Sequence, residues 1–167
     1  YKRQNYYIAP TNKDKHGKEL WNHHKMVKRT MFNYDGVEGG KTGYTTKAGG
    51  TLVTFAKRGD QELIVVDLCA HGYELYEDTI KMLNYGFNNY KTIAPFKTMN
   101  TVLKDDTYGF LKTGNELSPY KIPLKHLNDV TVMLEKNQSA SKLTYKCKDN
   151  KYIISYDGKQ IGSVKLH

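Results

Sequence analysis

The sequence predicts an α+β domain followed by a small all-β module within 167 residues. Two apolar runs, Thr51–Lys57 and Glu62–Ala70, flank a short polar connection at 58–61, a spacing typical of a β-hairpin. The next segment, Gly72–Asn89, carries apolar residues at helical spacing. After Pro95 only short strand-like segments recur, without a helical period. These observations predict an antiparallel sheet backed by a helix, and then strands alone.

The first domain begins with an extended edge segment, Gln4–Ala9, followed by a polar loop over Thr11–Lys18. A glycine-dense passage, Gly36–Gly50, leads into the hairpin. The second strand of the hairpin is apolar at both alternating sets of positions, which predicts that both faces of its sheet are covered. Cys69 lies in that apolar run, so a buried free thiol is expected there.

The helix is predicted from one apolar stripe. Tyr76, Ile80, Leu83 and Phe87 follow one another at intervals of four, three and four residues, which places them on one helical face. We expect this face to pack against the sheet.

The module after Pro95 is predicted to be a small β-sandwich with tight turns at 149–151 and 157–158. Its predicted strands are Tyr108–Lys112, Val130–Leu134, Leu143–Cys147, Tyr152–Tyr156 and Ile161–Leu166.

The net charge of the chain limits the classes of molecule that it could bind. The net charge is +9, and of 26 basic residues only three are arginines. Lysines without a recognition motif are interpreted first as a solvated surface, and second as a source of attraction to an anionic polymer or a carboxylate-bearing substrate. No nucleic-acid partner is predicted. His16, His23, His24 and His71 lack the spacing of metal ligands, so we expect surface histidines and neither metal nor cofactor.

The tripeptide Lys-Thr-Gly occurs twice, at 41–43 and at 112–114. The second copy lies at a predicted strand end, and we interpret it as chance. The first belongs to the string DGVEGGKTGYTTKAGG at 35–50, which precedes the apolar hairpin. This string resembles the third motif of the serine D-alanyl-D-alanine carboxypeptidases, the low-molecular-weight penicillin-binding proteins. The resemblance extends from Tyr6 to Tyr90.

The resemblance implies a fold and a set of roles. Residues 1–93 would be the C-terminal part of a penicillin-binding, β-lactamase-like catalytic domain, and residues 94–167 a β-rich stalk. Lys41 would supply positive potential toward the substrate carboxylate, Thr42 and Thr45 would bond it, and Gly43 would leave room for substrate. The backbone N–H of Tyr44 would form half of the oxyanion hole. Gly39-Gly40 and Gly50 depart from the family pattern, and we expect them to loosen the local backbone.

The family's other two motifs, Ser-x-x-Lys and Ser-x-Asn, would lie upstream, yet no serine precedes Ser118. Ser139–Lys142 fits Ser-x-x-Lys but lies downstream, in a predicted polar turn. The chain also starts at Tyr1 rather than at Met. We therefore expect the C-terminal portion of a longer enzyme, without the nucleophile and inactive alone.

The full protein is expected to act outside the cytoplasmic membrane, at the cell wall. It would remove the terminal D-alanine from peptidoglycan stem peptides through an acyl-enzyme, with β-lactams as inhibitors and the missing N-terminal part as partner. Two alternatives remain: a non-catalytic module that binds cell-wall polymer, and a β-lactamase or transpeptidase relative.

Overall fold

The computed structural model describes residues 2–27, 30–97, 101–103, 108–113, 116–117, 122–123, 130–149 and 151–165. The chain divides into two compact units, Tyr1–Asn89 and Tyr90–His167. The predicted boundary lay four residues later, after residue 93. The difference arises because the strand Tyr90–Ile93 pairs with Val132–Glu135 of the second unit.

The first unit contains two antiparallel sheets. Strands β1 (Asn5–Ile8) and β2 (Lys18–Trp21) pair as a hairpin across the polar loop. Strands β3 (Val37–Thr45), β4 (Gly49–Arg58) and β5 (Gln61–Ala70) form a three-stranded sheet in that order. The predicted β4–β5 hairpin is confirmed, and the glycine-dense passage supplies β3.

Helix α1 (Glu74–Asn89) packs against β4 and β5. The predicted stripe forms its inner face, since Tyr76, Leu83 and Phe87 are buried and Ile80 packs beside them. On the sheet side these residues meet alternate residues of β4 and β5. The remaining core residues of this unit are Met26, Phe32, Leu52, Ala56, Val65 and Leu75. The core therefore lies between one sheet face and one helix.

The opposite face of the sheet differs from the prediction. On β5, Ile64, Val66 and Leu68 are 69%, 52% and 67% exposed, and Val53 of β4 shares their face. The prediction that both faces are covered is wrong for the described chain, because α1 and its neighbouring loops cover only one. Cys69 is also exposed, not buried, and adopts a φ of 65° where the β4–β5 register shifts.

The second unit consists of strands and short 3-10 turns in its described residues. Strands β6 (Tyr90–Ile93) and β11 (Val132–Glu135) form one pair, and β12 (Leu143–Lys148), β13 (Lys151–Tyr156) and β14 (Lys159–Lys165) form a meander. A further sheet contains β7 (Thr101–Leu103), β8 (Tyr108–Thr113), β9 (Glu116–Leu117) and β10 (Ile122–Pro123).

A separate core holds the second unit together. Its buried members are Phe96, Val132, Leu134, Leu143, Tyr152 and Ile154. The turn at Asp157-Gly158, with φ of 50° and 79°, has the positive values that a two-residue hairpin requires. The five predicted strands of this module all have counterparts, although Leu166 and Asn150 lie outside the described residues.

Candidate active site

Strand β3 is an outer strand of its sheet and carries the first Lys-Thr-Gly. Lys41, Gly43, Tyr44 and Thr45 are exposed, and Thr42 is half-buried. Lys41 lies opposite Val53, and Thr42 lies opposite Leu52. Directly opposed residues share a face, so successive residues of β3 alternate between the exposed apolar face and the helix-covered face. The side chains of the motif therefore lie on both faces of the sheet, at its edge.

The Lys41 ammonium group is open to solvent. Its Nζ donates to the carbonyl oxygen of Thr42, and no described acidic residue forms an ion pair with it. By contrast, Lys57 pairs with Glu62 at 2.6 Å and Lys81 with Asp78 at 2.8 Å. Lys41 is thus a cation that a ligand carboxylate can reach.

Two open cavities flank the motif, and Thr42 borders both. The larger has a volume of about 680 Å³ and is lined by Lys41, Thr42 and residues of the β1–β2 hairpin, including Tyr6 and Trp21. The smaller, about 360 Å³, is lined by Thr42, Gly43 and Tyr44 together with residues around the start of α1. The three residues from Lys41 to Gly43 therefore separate two spaces large enough for parts of one substrate.

The backbone at Tyr44 belongs to the same edge. An outer strand pairs on one side only, so alternate N–H groups of β3 point away from β4. The Tyr44 side chain is 76% exposed. The Thr45 hydroxyl accepts a hydrogen bond from the Ala48 N–H at 3.0 Å and so closes the turn before β4. Thr45 therefore has a local structural partner, which sequence analysis did not anticipate.

His24 is the residue near this strand that sequence reasoning missed. It was expected at the surface, yet it is completely buried. Its Nε2 lies 2.9 Å from the Thr54 hydroxyl, and its Nδ1 is buried without a hydrogen-bond partner among the described residues. Burial lowers the pKa of His24 below its ordinary value of 6.5. The one sequence signal was the alternation of His24 with the buried Met26, which is too short to distinguish burial from chance.

The other candidates from the sequence do not join this site. Ser139 caps the 3-10 turn Ala140–Lys142, where its Oγ accepts from the Ser141 N–H. The second Lys-Thr-Gly begins in β8, and its Gly114 lies outside the described residues. In the part of the chain that the structure describes, no three His, Cys, Asp or Glu side chains come together as metal ligands.

Two proteins of known activity are similar in sequence. D-alanyl-D-alanine carboxypeptidase DacF of Bacillus subtilis is 29% identical over 154 residues, which is 89% of this chain and 37% of that protein. D-alanyl-D-alanine carboxypeptidase DacC of Escherichia coli is 35% identical over 77 residues, 46% of this chain and 18% of that protein. The homologues of this chain are D-alanyl-D-alanine carboxypeptidases. No family model matches the sequence.

Two solved structures share the fold of this chain. Penicillin binding protein 5 of Haemophilus influenzae matches all of this chain and 48% of its own length, with a TM-score of 0.59 and 23% identity. The D-alanyl-D-alanine carboxypeptidase DacD of Francisella tularensis matches 90% of this chain and 38% of its own length, with a TM-score of 0.50 and 18% identity. The chain thus spans less than half the length of each of these four proteins.

Proposed function

We propose that the first unit, residues 1–89, forms the C-terminal part of the catalytic domain of a serine-type D-Ala-D-Ala carboxypeptidase, and that the second unit, residues 90–167, is its β-rich stalk. The whole protein would remove the terminal D-alanine from peptidoglycan stem peptides. The observation that carries this proposal is the exposed Lys41 on an outer strand between two cavities, in a chain whose homologues are carboxypeptidases.

Substrate binding follows from the charge and hydroxyl groups of β3. A D-alanine terminus carries a free carboxylate, which the Lys41 cation attracts and which the Thr42 hydroxyl bonds. By the same alternation Thr45 lies on the Lys41 face, where its hydroxyl accepts from Ala48 and keeps its own proton free to donate to the bound peptide. Gly43 presents no side chain, so the peptide can lie along the strand.

Transition-state stabilisation comes from the backbone. When a serine oxygen adds to the scissile carbonyl carbon, the carbonyl oxygen becomes an oxyanion. The Tyr44 N–H is our candidate for one of its two donors, and the loss of one such donor costs about 3 kcal/mol of transition-state stabilisation. The C–N bond then breaks, D-alanine leaves after its nitrogen gains a proton, and water hydrolyses the resulting ester.

The nucleophile and its proton acceptor would come from a segment that precedes this chain in the complete protein. The exposed apolar face of the sheet supports this view, because Val53, Ile64, Val66 and Leu68 form a continuous patch at neighbouring positions of β4 and β5. Lys41 lies on the same face, opposite Val53. A segment that packed on this patch would bring its serine toward the motif.

The chemistry implies a location and a class of inhibitor. Peptidoglycan lies outside the cytoplasmic membrane, so we place the protein at the cell wall or the outer face of that membrane. No helix among the described residues is long and apolar enough to cross a bilayer. β-Lactams carry a carboxylate and a reactive amide in the arrangement that this site would accept, so they are the expected inhibitors.

The test is labelling by a fluorescent penicillin. We expect no covalent label on the 167-residue chain alone, and a label on the serine of the complete protein that contains it. Lys41→Ala should reduce the labelling rate of the complete protein at least about 100-fold, whereas Lys112→Ala, the matched change in the second Lys-Thr-Gly, should not. Covalent labelling of the lone chain, or equal rates for the two variants, would contradict the proposal.

A second function is favoured by the lysines of the β12–β14 meander. All lie at the surface: Lys146, Lys148, Lys151, Lys159 and Lys165. Of these, Lys148, Lys151 and Lys165 lie at directly opposed positions of the three strands. Exposed lysines attract the phosphates or carboxylates of cell-wall polymers, with an affinity that falls steeply as salt rises. Sedimentation of the chain with purified cell walls at two salt concentrations separates this activity from the carboxypeptidase site, because polymer binding would survive Lys41→Ala.

A further inference from the structure

His24 is held in one orientation by groups from three parts of the first unit. Its backbone N–H donates to the Asn22 side-chain oxygen at 2.9 Å. Its Nε2 meets the Thr54 hydroxyl at 2.9 Å. On the helix side, the Tyr76 ring packs edge-on against the imidazole, with 6.2 Å between centroids. The ring therefore has a fixed position between the sheet and α1.

The same ring touches β3 directly before the Lys-Thr-Gly. A Cβ added at Gly40 would lie 2.6 Å from both Cδ2 and Nε2 of His24, and closer still to the carbonyl oxygen of Val53. The imidazole thus lies against the Gly40 backbone where every other residue would place a side chain. Gly40 is the neighbour of Lys41, so a shift of this ring moves the first residue of the motif.

The two partners of the ring are themselves a cross-strand pair. Gly40 of β3 lies opposite Thr54 of β4. Because His24 contacts both residues, it sets the distance between the β3 backbone and the core at that pair, one residue before Lys41. The positions of the next residues of β3, Lys41 and Thr42, depend on that distance, because the backbone of a strand is continuous.

The surroundings favour a neutral ring. Burial lowers the pKa of His24, although the backbone carbonyls of Val53 and of His24 itself act in the opposite direction. Among the described groups that pack against it, Thr54 and Gly40 carry no charge, and Tyr76 is an uncharged phenol. Lys25, the next residue, directs its Nζ over the Tyr73 ring at 4.0 Å. No described carboxylate contacts His24 to balance a proton on Nδ1. An imidazolium here would be a buried cation without a counter-ion, which is costly.

From these contacts we infer that His24 is a positioning residue: its neutral imidazole, wedged between Gly40 and Thr54, sets the position of Lys41 and Thr42 on β3. The placement of the strand stands on the contacts alone. Its consequence for substrate binding rests on the proposed function.

The experiment measures amide hydrogen exchange along β3 in the 167-residue chain, with the amides of β5 as an internal reference. His24→Ala removes the imidazole between Gly40 and Thr54. We expect exchange of those amides at 40–43 that are hydrogen-bonded to β4 to become about tenfold faster, while β5 changes little. His24→Gln restores a neutral side chain that can hydrogen-bond to the Thr54 hydroxyl, and it should return exchange to within about threefold of the original chain. His23→Ala, a change at the exposed neighbouring residue, is the matched control and should have no effect on β3.

Thr54→Val covers the case in which His24→Ala fails to fold, because it removes only the hydroxyl partner of the ring. It should accelerate exchange at β3 in the same residues and to a smaller extent. Unchanged β3 exchange in His24→Ala, or in Thr54→Val where the alanine variant does not fold, would overturn the inference. So would faster exchange that spreads equally over β3 and β5.

Activity of the complete protein separates this inference from the proposed function. In the complete enzyme, His24→Ala should raise KM for a D-Ala-D-Ala peptide more than it lowers kcat, and His24→Gln should recover most of the loss. If the complete protein never reacts with penicillin although His24→Ala loosens β3, the proposed function fails and the positioning role stands. If it reacts normally but β3 exchange is unchanged, the positioning role fails instead.

Discussion

Leu75, at the start of α1, occupies the space beside Gly50 at the start of β4. A Cβ at Gly50 would lie 2.8 Å from Leu75 Cδ1 and 2.8 Å from the carbonyl oxygen of Ala70. The sequence led us to expect that this glycine loosens the backbone. The structure indicates the reverse, because the missing side chain permits the helix and β5 to approach β4 closely.

Gly50→Ala should therefore destabilise the first unit by about 1–3 kcal/mol, the usual cost of overpacking. The free energy of unfolding can be measured with urea and far-ultraviolet circular dichroism. Gly162→Ala is the control, because a Cβ there would meet its nearest neighbour at an ordinary 3.8 Å. Equal effects of the two substitutions would contradict this explanation of Gly50.

The elements predicted correctly are those whose pattern is local. The stripe Tyr76–Phe87 and the turn at 58–61 each specify their structure within a few residues, so both were predicted from the sequence alone. The pairing of Tyr90–Ile93 with Val132–Glu135 joins segments about forty residues apart, and no local pattern encodes it.

The predictions that were wrong concern burial, which depends on the elements that pack over a side chain. Alternation tells which side chains of β5 share a face, but it does not tell whether a partner lies on that face, so Ile64, Val66 and Leu68 were expected to be covered. His24 was predicted to be exposed because it lacks the spacing of a metal ligand, and a histidine without such a role is more often at the surface. Its burial depends on Gly40, a residue sixteen positions later in the chain.

Substitutions on the exposed apolar face should separate folding from assembly. Leu68→Lys should change the unfolding free energy of the 167-residue chain by less than about 0.5 kcal/mol, because this side chain is already 67% exposed. Leu52→Ala, at a fully buried position of the neighbouring strand, should cost about 2–5 kcal/mol.

In the complete protein the same Leu68→Lys change should instead prevent the preceding segment from docking. The protein should then become sensitive to limited proteolysis and lose penicillin labelling. A complete Leu68→Lys protein that resists protease and labels normally would show that this face is not the docking surface.

Asp67 should make the chain less stable as pH rises through the acidic range. Burial, with a smaller contribution from Asp78, raises the pKa of the Asp67 carboxyl. Between its unfolded and folded pKa values the native state then binds more protons than the unfolded state, so unfolding free energy falls with increasing pH. Asp67→Asn should remove this dependence and raise stability at neutral pH by about 1 kcal/mol or less.

Urea unfolding at several pH values checks this expectation. Asp60→Asn, in the exposed turn between β4 and β5, serves as the matched control. A pH profile of Asp67→Asn that parallels the original chain would exclude Asp67 as the cause.

The contribution of His24 to the unfolding free energy should depend on pH in the opposite direction, near neutral pH. Because its folded pKa is lowered from 6.5, the unfolded state binds more protons there, and stability should decline as pH falls below about 6.5. His24→Gln should flatten the profile between pH 7 and 5, whereas His23→Gln should not. The profiles are measured by urea unfolding, and a His24 signal in the NMR spectrum that titrates above 6.5 would contradict the assignment.

The central claim is that the edge of β3 holds the carboxylate of a peptide beside a serine carried by another segment. A crystal structure of the complete protein acylated by penicillin tests it most directly. We predict the penicillin carboxylate within hydrogen-bonding distance of the Thr42 hydroxyl and near Lys41, and the ester carbonyl oxygen at the Tyr44 N–H. A ligand bound away from β3, with these three groups facing solvent, would contradict the account.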